Sequence, residues 1–297
     1  MRTLATVDIG SNTAHLLIAR TDGRRLTRMV NRSEWLSLGE IVSAEQELPE
    51  STVKDVIQAL QRFKALAQAE GAEPLTVFAT EAVRAAANHS EALDQIEQAT
   101  GLRVELASPR REAELGVLGA SLDTQFCGAT AYVEAGGGSI QIAHTHGDAI
   151  LEERSLPLGT GRLIATFGLG QPCPPTTLER LERFVEETLD GAEFAPVPRV
   201  VASGGVARGL WRALHPDGDR ALALPELDYI VWSAQRLRVS QIVGRFSVKE
   251  KRAATLLPGA VAYRAILRRL GAAEMTVSSY GVREGALLEQ ARNGGKR

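Results

Sequence analysis

Only two cysteines occur in the 297 residues, Cys127 and Cys173, and they are too few and too far apart for a disulfide framework or a zinc knuckle. Both read as packing or loop residues. Neither sign of charge is in excess, with 34 Lys and Arg against 36 Asp and Glu and a net charge of −2. Such a balance gives no global attraction to nucleic acid or to a membrane surface, so any anion site has to be local. No apolar run approaches the roughly 18 residues needed to cross a bilayer, and Asp8 interrupts the N-terminal apolar stretch before it can act as a signal-peptide core. A cytoplasmic protein is expected. A Walker lysine loop, a dinucleotide GxGxxG turn and a Ser/His/Asp set are all missing. His144 and His146 stand two apart on an expected strand and would share a face, but no third ligand accompanies them, so both are expected to be solvent-exposed.

What is present is the composition of an ordinary folded protein, 44% hydrophobic and 24% charged with 28 Gly and 12 Pro. Its length predicts two domains or one large one. Residues 3–9 and 13–20 are short β-type runs separated by GSN, and 24–36 supplies a third strand. From Ser51, the residues Val53, Val56, Ile57, Leu60, Phe63 and Ala67 recur at helical spacing up to Gly71. A strand over 75–79, a short helix carrying Arg84, a helix over 90–101 and a strand over 103–107 follow, an alternation that implies a parallel portion of sheet. Ser108 and Pro109 then cap a helix rich in small residues that ends near Ser121.

At that point the pattern begins again. ATAYVEAGGGSIQIAHT (129–145) repeats the strand, glycine turn and strand of ATVDIGSNTAHLLIAR, with VEAG lying 126 residues after VDIG. A third strand over 149–158, helices over 159–167 and 175–190, a strand over 199–203 and a helix after Gly205 complete the second unit. The stretch 225–269 is mostly helical, and a strand over 275–279 and a helix from Val282 close the chain. The fold class is α/β, with one domain over 1–125, a second over 126–297 and the last helix packing back on the first. A ligand is expected in the cleft between them.

Four glycine-bearing turns follow strands: DIGSN (8–12), EAGGGS (134–139), ASGGVA (202–207) and SYGVRE (279–284). Glycine lets backbone amides approach phosphate oxygens, and helices starting after the last two add positive dipole ends. Any one of them alone is equally an ordinary tight turn. Jointly they are more specific, because Asp8 and Glu134 occupy matching places at the ends of the duplicated strands. Two such carboxylates beside phosphate turns suit magnesium, which prefers oxygen ligands, phosphates and retained waters.

VDIGSNTAHLLI, ATEAVR (79–84), REAEL (111–115), GGGS, SLPLGTGRL (155–163), ASGG and VREG (282–285) resemble, in order, the motifs of the exopolyphosphatase and guanosine pentaphosphate phosphohydrolase (Ppx/GppA) family. The resemblance implies two actin-like, ribonuclease H-like domains of the short form. It also implies a magnesium-dependent attack by water on a terminal phosphate, with manganese as the alternative metal. Polyphosphate or the alarmone pppGpp is the implied substrate, and a homodimer fits the family. Glu112 matches the catalytic glutamate that activates water, and its place one turn into a capped helix agrees with an ionised carboxylate; complementing the helix dipole is the plainer role. Asp8, with Glu134, matches an acid that holds metal or orients water. Ser11, Asn12, Thr13, Gly136, Gly137, Gly138, Ser139, Gly204 and Gly205 match phosphate-cradling turns. Arg84 matches an arginine that offsets phosphate charge or forms a structural salt bridge.

The chain departs from the family pattern where DIGGGSTE becomes EAGGGSIQ. Glu134 replaces an aspartate, Ile140 a threonine and Gln141 a glutamate, and Ser37 stands where a phosphate-facing arginine is common. An amide at Gln141 cannot take a proton or add negative charge to a metal site. Arg236, Arg238, Arg245, Lys249, Lys251 and Arg252 face only Glu250 in their stretch, and either guide a polyanion or form a solvated helical face. Arg110, Arg111 and Arg208 are secondary candidates. The expected activity is hydrolysis of terminal phosphoanhydride bonds, with Glu112, Glu134 and Gln141 at the catalytic centre. The alternatives are a weakly catalytic sensor that binds polyphosphate or alarmone, and an actin-like sugar or acetate kinase.

Overall fold

The computed structural model describes residues 1–192, 194–216 and 218–294. These form two compact units, one of Met1–Leu122 with the segment from Tyr280 onward, the other of Asp123–Ser279. The first unit runs β1 (Arg2–Ile9), β2 (Thr13–Thr21), β3 (Leu26–Trp35), α1 (Leu38–Glu45), α2 (Glu50–Ala69), β4 (Leu75–Ala79), α3 (Glu81–Ala85), α4 (His89–Thr100), β5 (Val104–Leu106) and α5 (Pro109–Ala120). The second begins with β6 (Ala129–Ala135), β7 (Ile140–His146), β8 (Ala149–Leu156), α6 (Thr160–Phe167), α7 (Pro175–Asp190), β9 (Val200–Ser203) and α8 (Gly204–Leu214). It continues through β10 (Ala221–Ala223), α9 (Leu224–Arg236), α10 (Val239–Phe246), α11 (Glu250–Leu270) and β11 (Glu274–Val277). The closing helix α12 (Val282–Asn293) belongs to the first unit.

The duplication visible in the sequence is a duplication of topology. Unit 1 has a five-stranded sheet in the order β3-β2-β1-β4-β5, in which β1 pairs antiparallel with β2 and parallel with β4. In unit 2 the order is β10-β11-β9-β6-β7-β8, and β6 pairs antiparallel with β7 and parallel with β9. Each is an actin-like α/β unit whose central strand is covered on both faces. Leu4, Ala5, Val7 and Ile9 of β1 are therefore all buried, and so is Thr6 between them, so the strand does not alternate between buried and exposed positions. On one side of the first sheet lie Val53, Val56, Leu60, Phe63 and Ala67 of α2, while Leu287 of α12 packs with Leu4, Leu17 and Ala19 on the other.

Two elements escaped the sequence reading. Helix α1 buries only Leu38 and Val42, too few for a period to show, and it is opened by Ser37 at φ 53, a left-handed residue that propensity does not flag. Strand β10 is three residues long. One of the two histidines departs from expectation. A register shift between His144 and Thr145 interrupts β7's pairing with β8, and His144 is buried against Phe194 while His146 is exposed. Burial pushes the His144 imidazole down from its ordinary range.

Helix α5 meets α12 through glycines, as its small residues predict. A Cβ on Gly119 would lie 1.9 Å from the Gly281 carbonyl oxygen, and one on Gly285 would lie 1.8 Å from that of Leu115. Only hydrogen at both positions allows the two backbones to touch. Glu284, 3% exposed, pairs with Arg28 at 2.7 Å and accepts the Gly281 amide at 3.0 Å. Gly285→Ala is expected to lower stability by about 1–3 kcal/mol or more through forced separation of the helices, measured by denaturant unfolding.

Candidate active site

In unit 1 the C-terminal ends of β1, β4 and β5 are stacked side by side, the usual ligand position of an α/β sheet. Thr80 ties two of them together, its amide donating to the Ile9 carbonyl at 3.1 Å, and the Ala107 amide donates to Ala79 at 2.9 Å. Asp8 sits one residue from the end of β1, opposite Phe78 of β4. In the turn that follows, the Gly39 amide binds the Ser11 carbonyl at 2.7 Å, and the amides of Leu36 and Ser37 bind that of Asn12 at 2.9 and 3.1 Å. A trans peptide points its N–H opposite to its C=O. The amides of Asn12 and Thr13 are thereby turned away from α1. Gly39 is needed for this approach, since a Cβ there would lie 2.9 Å from Ser11 Cβ. Ser37 itself accepts the Trp35 indole N–H at 2.6 Å.

Glu112 lies in the first turn of α5, whose cap is complete: the Ser108 hydroxyl accepts the Arg111 amide at 3.1 Å and Pro109 follows it. The Glu112 residue is 8% exposed, and its Oε1 accepts from Arg84 Nη1 at 2.8 Å. The same guanidinium nitrogen donates to the Ala107 carbonyl. Arg84 thus forms the salt bridge that was one of its two expected roles, and it holds the glutamate of the other motif. Glu81, which sequence reasoning passed over although it stands inside ATEAVR, accepts the Ser11 hydroxyl at 3.2 Å. Arg111 turns to Glu105 at 3.0 Å and to Glu289, and Arg110 pairs with Glu114 at 3.2 Å, so both have carboxylate partners.

In unit 2, Glu134 faces Ser203 across the parallel β6–β9 pair and Gln141 across the antiparallel β6–β7 pair. The carbonyls of Gly136, Gly137 and Gly138 are bound by the amides of Thr160, Arg162 and Gly159 at 3.0, 3.0 and 3.3 Å. By the same peptide geometry, the amides of Gly137, Gly138 and Ser139 all face away from α6 and line one side of the turn with N–H donors. Gly159 makes this possible, because a Cβ there would fall 2.3 Å from the Gly138 carbonyl carbon. Gln141, 5% exposed, donates to Ser155 Oγ at 3.0 Å and Ser139 Oγ at 3.4 Å, while its buried Oε1 has no hydrogen-bond partner. Glu134 Oε2 accepts from the hydroxyls of Tyr132 and Ser203. Burial, reinforced by the Glu134 carboxylate, pushes the Tyr132 phenol well above its ordinary range.

Helix α8 starts at Gly204, whose φ of 86 favours glycine and whose open side accommodates Glu134 Cγ. The Arg252 guanidinium lies along the same helix, 3.6 Å from where a Gly205 Cβ would be. Arg252 has no carboxylate partner among the described residues, and burial, with Arg212 nearby, pulls its pKa down. The rest of the basic stretch is spread over three helices instead of one face: Arg236 lies over Trp232 and Arg245 over Tyr229, at 5.0 and 5.2 Å from the ring centres. The fourth glycine turn differs from expectation. Its helix N-terminus is capped by Glu284 and packed on α5, so its role in this unit is structural. Among the described residues no three His, Cys, Asp or Glu side chains gather to form a metal cluster, and no helix is long and apolar enough to cross a membrane.

Backbone donors turned outward at a strand-end hairpin, with an acid one residue before it, occur in both units. With the two duplicated sheets, they place the chain in the actin-like fold class. The model of the Ppx/GppA phosphatase family matches residues 17–293, and the chain belongs to that family. It is 25% identical to Exopolyphosphatase 1 of Mycobacterium leprae over 97% of this chain and 89% of that protein. An uncharacterized protein of Streptomyces coelicolor is 29% identical over 99% of this chain and 91% of its own length. Among solved structures, the Aquifex aeolicus member of the Ppx/GppA family superposes with a TM-score of 0.86 at 27% identity, covering 99% of this chain and 98% of that one.

Replacing Arg84 with Met removes the cation that faces a largely buried carboxylate. A loss of about 1–3 kcal/mol is expected, and Arg84→Lys should recover only part of it, since an ammonium cannot serve both acceptors in the same plane. Denaturant midpoints of the two variants check this.

Proposed function

We propose that the chain is a cytoplasmic exopolyphosphatase that removes the terminal phosphate of inorganic polyphosphate, with pppGpp as the other candidate substrate. The observation that carries this reading is the row of three outward amides at Gly137, Gly138 and Ser139, fixed from behind by α6. Neutral donors in a row suit the successive oxyanions of a phosphate chain without requiring a base or sugar. Within the same unit, the α8 start at Gly204 and Gly205 and the Arg252 guanidinium supply further donors, and unit 1 repeats the arrangement in its own turn at Ser11, Asn12 and Thr13. The resemblance to proteins named exopolyphosphatase supports the choice.

Glu112 is the proposed base. Arg84 orients its carboxylate, which takes a proton from water as the water oxygen bonds to the terminal phosphorus and the bridging P–O bond breaks. The chain shortened by one unit and orthophosphate are the products. Asp8 in unit 1 and Glu134 in unit 2 are each an oxygen donor of the kind that fits a divalent cation such as magnesium, which can take a single carboxylate and share phosphate oxygens instead of needing a full protein cage; manganese is the alternative. When bound, such an ion offsets charge on the phosphates. A second reading, a binder with little turnover, is favoured by Gln141, whose unpaired buried Oε1 replaces an ionisable oxygen with a neutral one.

Purified protein with magnesium should release orthophosphate from long-chain polyphosphate, assayed beside pppGpp. Glu112→Gln is expected to lower kcat by about 100-fold or more while KM stays within about twofold; an unchanged kcat would exclude Glu112 as base. Arg252→Ala should instead act chiefly on KM, raising it about tenfold. If the wild-type chain binds polyphosphate in calorimetry without turnover, and Gln141→Glu gains release, the binder reading holds. Size-exclusion chromatography with light scattering checks the homodimer.

A further inference from the structure

The internal repeat offers a comparison within one molecule. Asp8 and Glu134 are equivalent positions, but the second acid is one methylene longer. Two residues earlier, on the same face of each strand, stand Thr6 and Tyr132, both fully buried. Thr6 is engaged by a neighbouring strand, accepting from Thr76 Oγ1 at 3.2 Å. Tyr132 is engaged by the acid itself: its hydroxyl donates to Glu134 Oε2, and Ser203 Oγ donates to the same oxygen at 3.1 Å. The two hydroxyl oxygens are 2.7 Å apart. Ser203 is in turn held by Tyr263, whose hydroxyl donates to the Ser203 carbonyl at 3.4 Å and accepts the Ala135 amide at 3.2 Å. Glu134 Oε1 accepts no hydrogen bond among the described residues.

A longer carboxylate has one more torsion to freeze before it can serve as a fixed ligand or orienting group. We propose that Tyr132 is the positioning residue that does this: with Ser203 it anchors one oxygen of Glu134, so that the other is presented in a single direction. The inference rests on the metal- or water-holding role given to Glu134 above. In this account the longer acid and the buried tyrosine are a matched pair, and the short acid of unit 1 has no need of one.

The test is a double-mutant cycle of wild type, Tyr132→Phe, Glu134→Asp and the double variant. Steady-state kcat and KM on polyphosphate are measured for each, with Mn2+ affinity from the free-ion electron paramagnetic resonance signal. Tyr132→Phe should lower kcat about 10- to 100-fold, as misplacing a reacting group by about 1 Å does, weaken Mn2+ binding severalfold and leave KM within about twofold. Glu134→Asp, too short to reach the phenol, should add little in the Phe background. Ser203→Ala should shift kcat and Mn2+ affinity in the same direction, and serves if Tyr132→Phe does not fold. A Tyr132→Phe protein with a lowered melting temperature but wild-type kcat, KM and Mn2+ affinity, or strictly additive effects in the cycle, overturns the proposal. The Mn2+ arm needs no turnover, so a chain that binds metal without hydrolysing polyphosphate still decides the clamp; wild type that neither binds Mn2+ nor hydrolyses refutes the underlying reading, and the clamp with it.

Discussion

A trans peptide cannot aim its carbonyl and its amide the same way, and the outward row of N–H donors in each unit depends on that constraint. Where the first turn of α6 takes the carbonyls of Gly136, Gly137 and Gly138, the amides behind them are committed to the opposite side. The same happens at Ser11 and Asn12 through Gly39, Leu36 and Ser37. A flexible glycine loop would lose entropy each time it organised around an anion. Here the ordering has been done by folding, and the glycines that matter most are those, such as Gly39 and Gly159, that let a second segment press close from behind.

Charge is distributed on the same principle of prior commitment. Arg111 is bound to Glu105 and Glu289, and Arg84 to Glu112, so these arginines shape the protein before any ligand arrives. Arg252 differs because it lies against a helix start with no carboxylate partner among the described residues, where desolvation is costly unless an anion compensates. The acids follow a parallel division. Glu284 is consumed in capping α12 and pairing with Arg28, whereas Asp8 and Glu134 end central strands beside amide-rich turns. Residue type alone does not separate an acid that caps a helix from one that ends a strand; position in the fold does.

Much of the architecture was legible because it rests on local signals. The Ser108-Pro109 start of α5, the helical spacing of Val53 to Ala67 and the repeat of VDIG by VEAG each express one physical preference within a few residues. The failures are equally local in cause. Helix α1 carries too short a pattern to register, and His144 lies in a strand buried all along up to His146, where exposure depends on what packs over the residue, here Phe194. The glycine turn at 281 looked like an anion site because its helix start is real; what fills it, the Glu284 carboxylate, follows a hydrogen bond that glycine spacing does not reveal.

The sequence by itself determined which groups exist and in what order: the duplicated strand-turn-strand unit, the acids at its two equivalent places, the glycines and the family motifs. Tertiary structure decided which of those groups meet. Arg84 and Glu112 are 28 residues apart, Ser11 and Glu81 are 70 apart, and Tyr132 and Ser203 are 71 apart. Each pair forms only when neighbouring strand ends are brought into register, and no local preference encodes a register between segments that far apart.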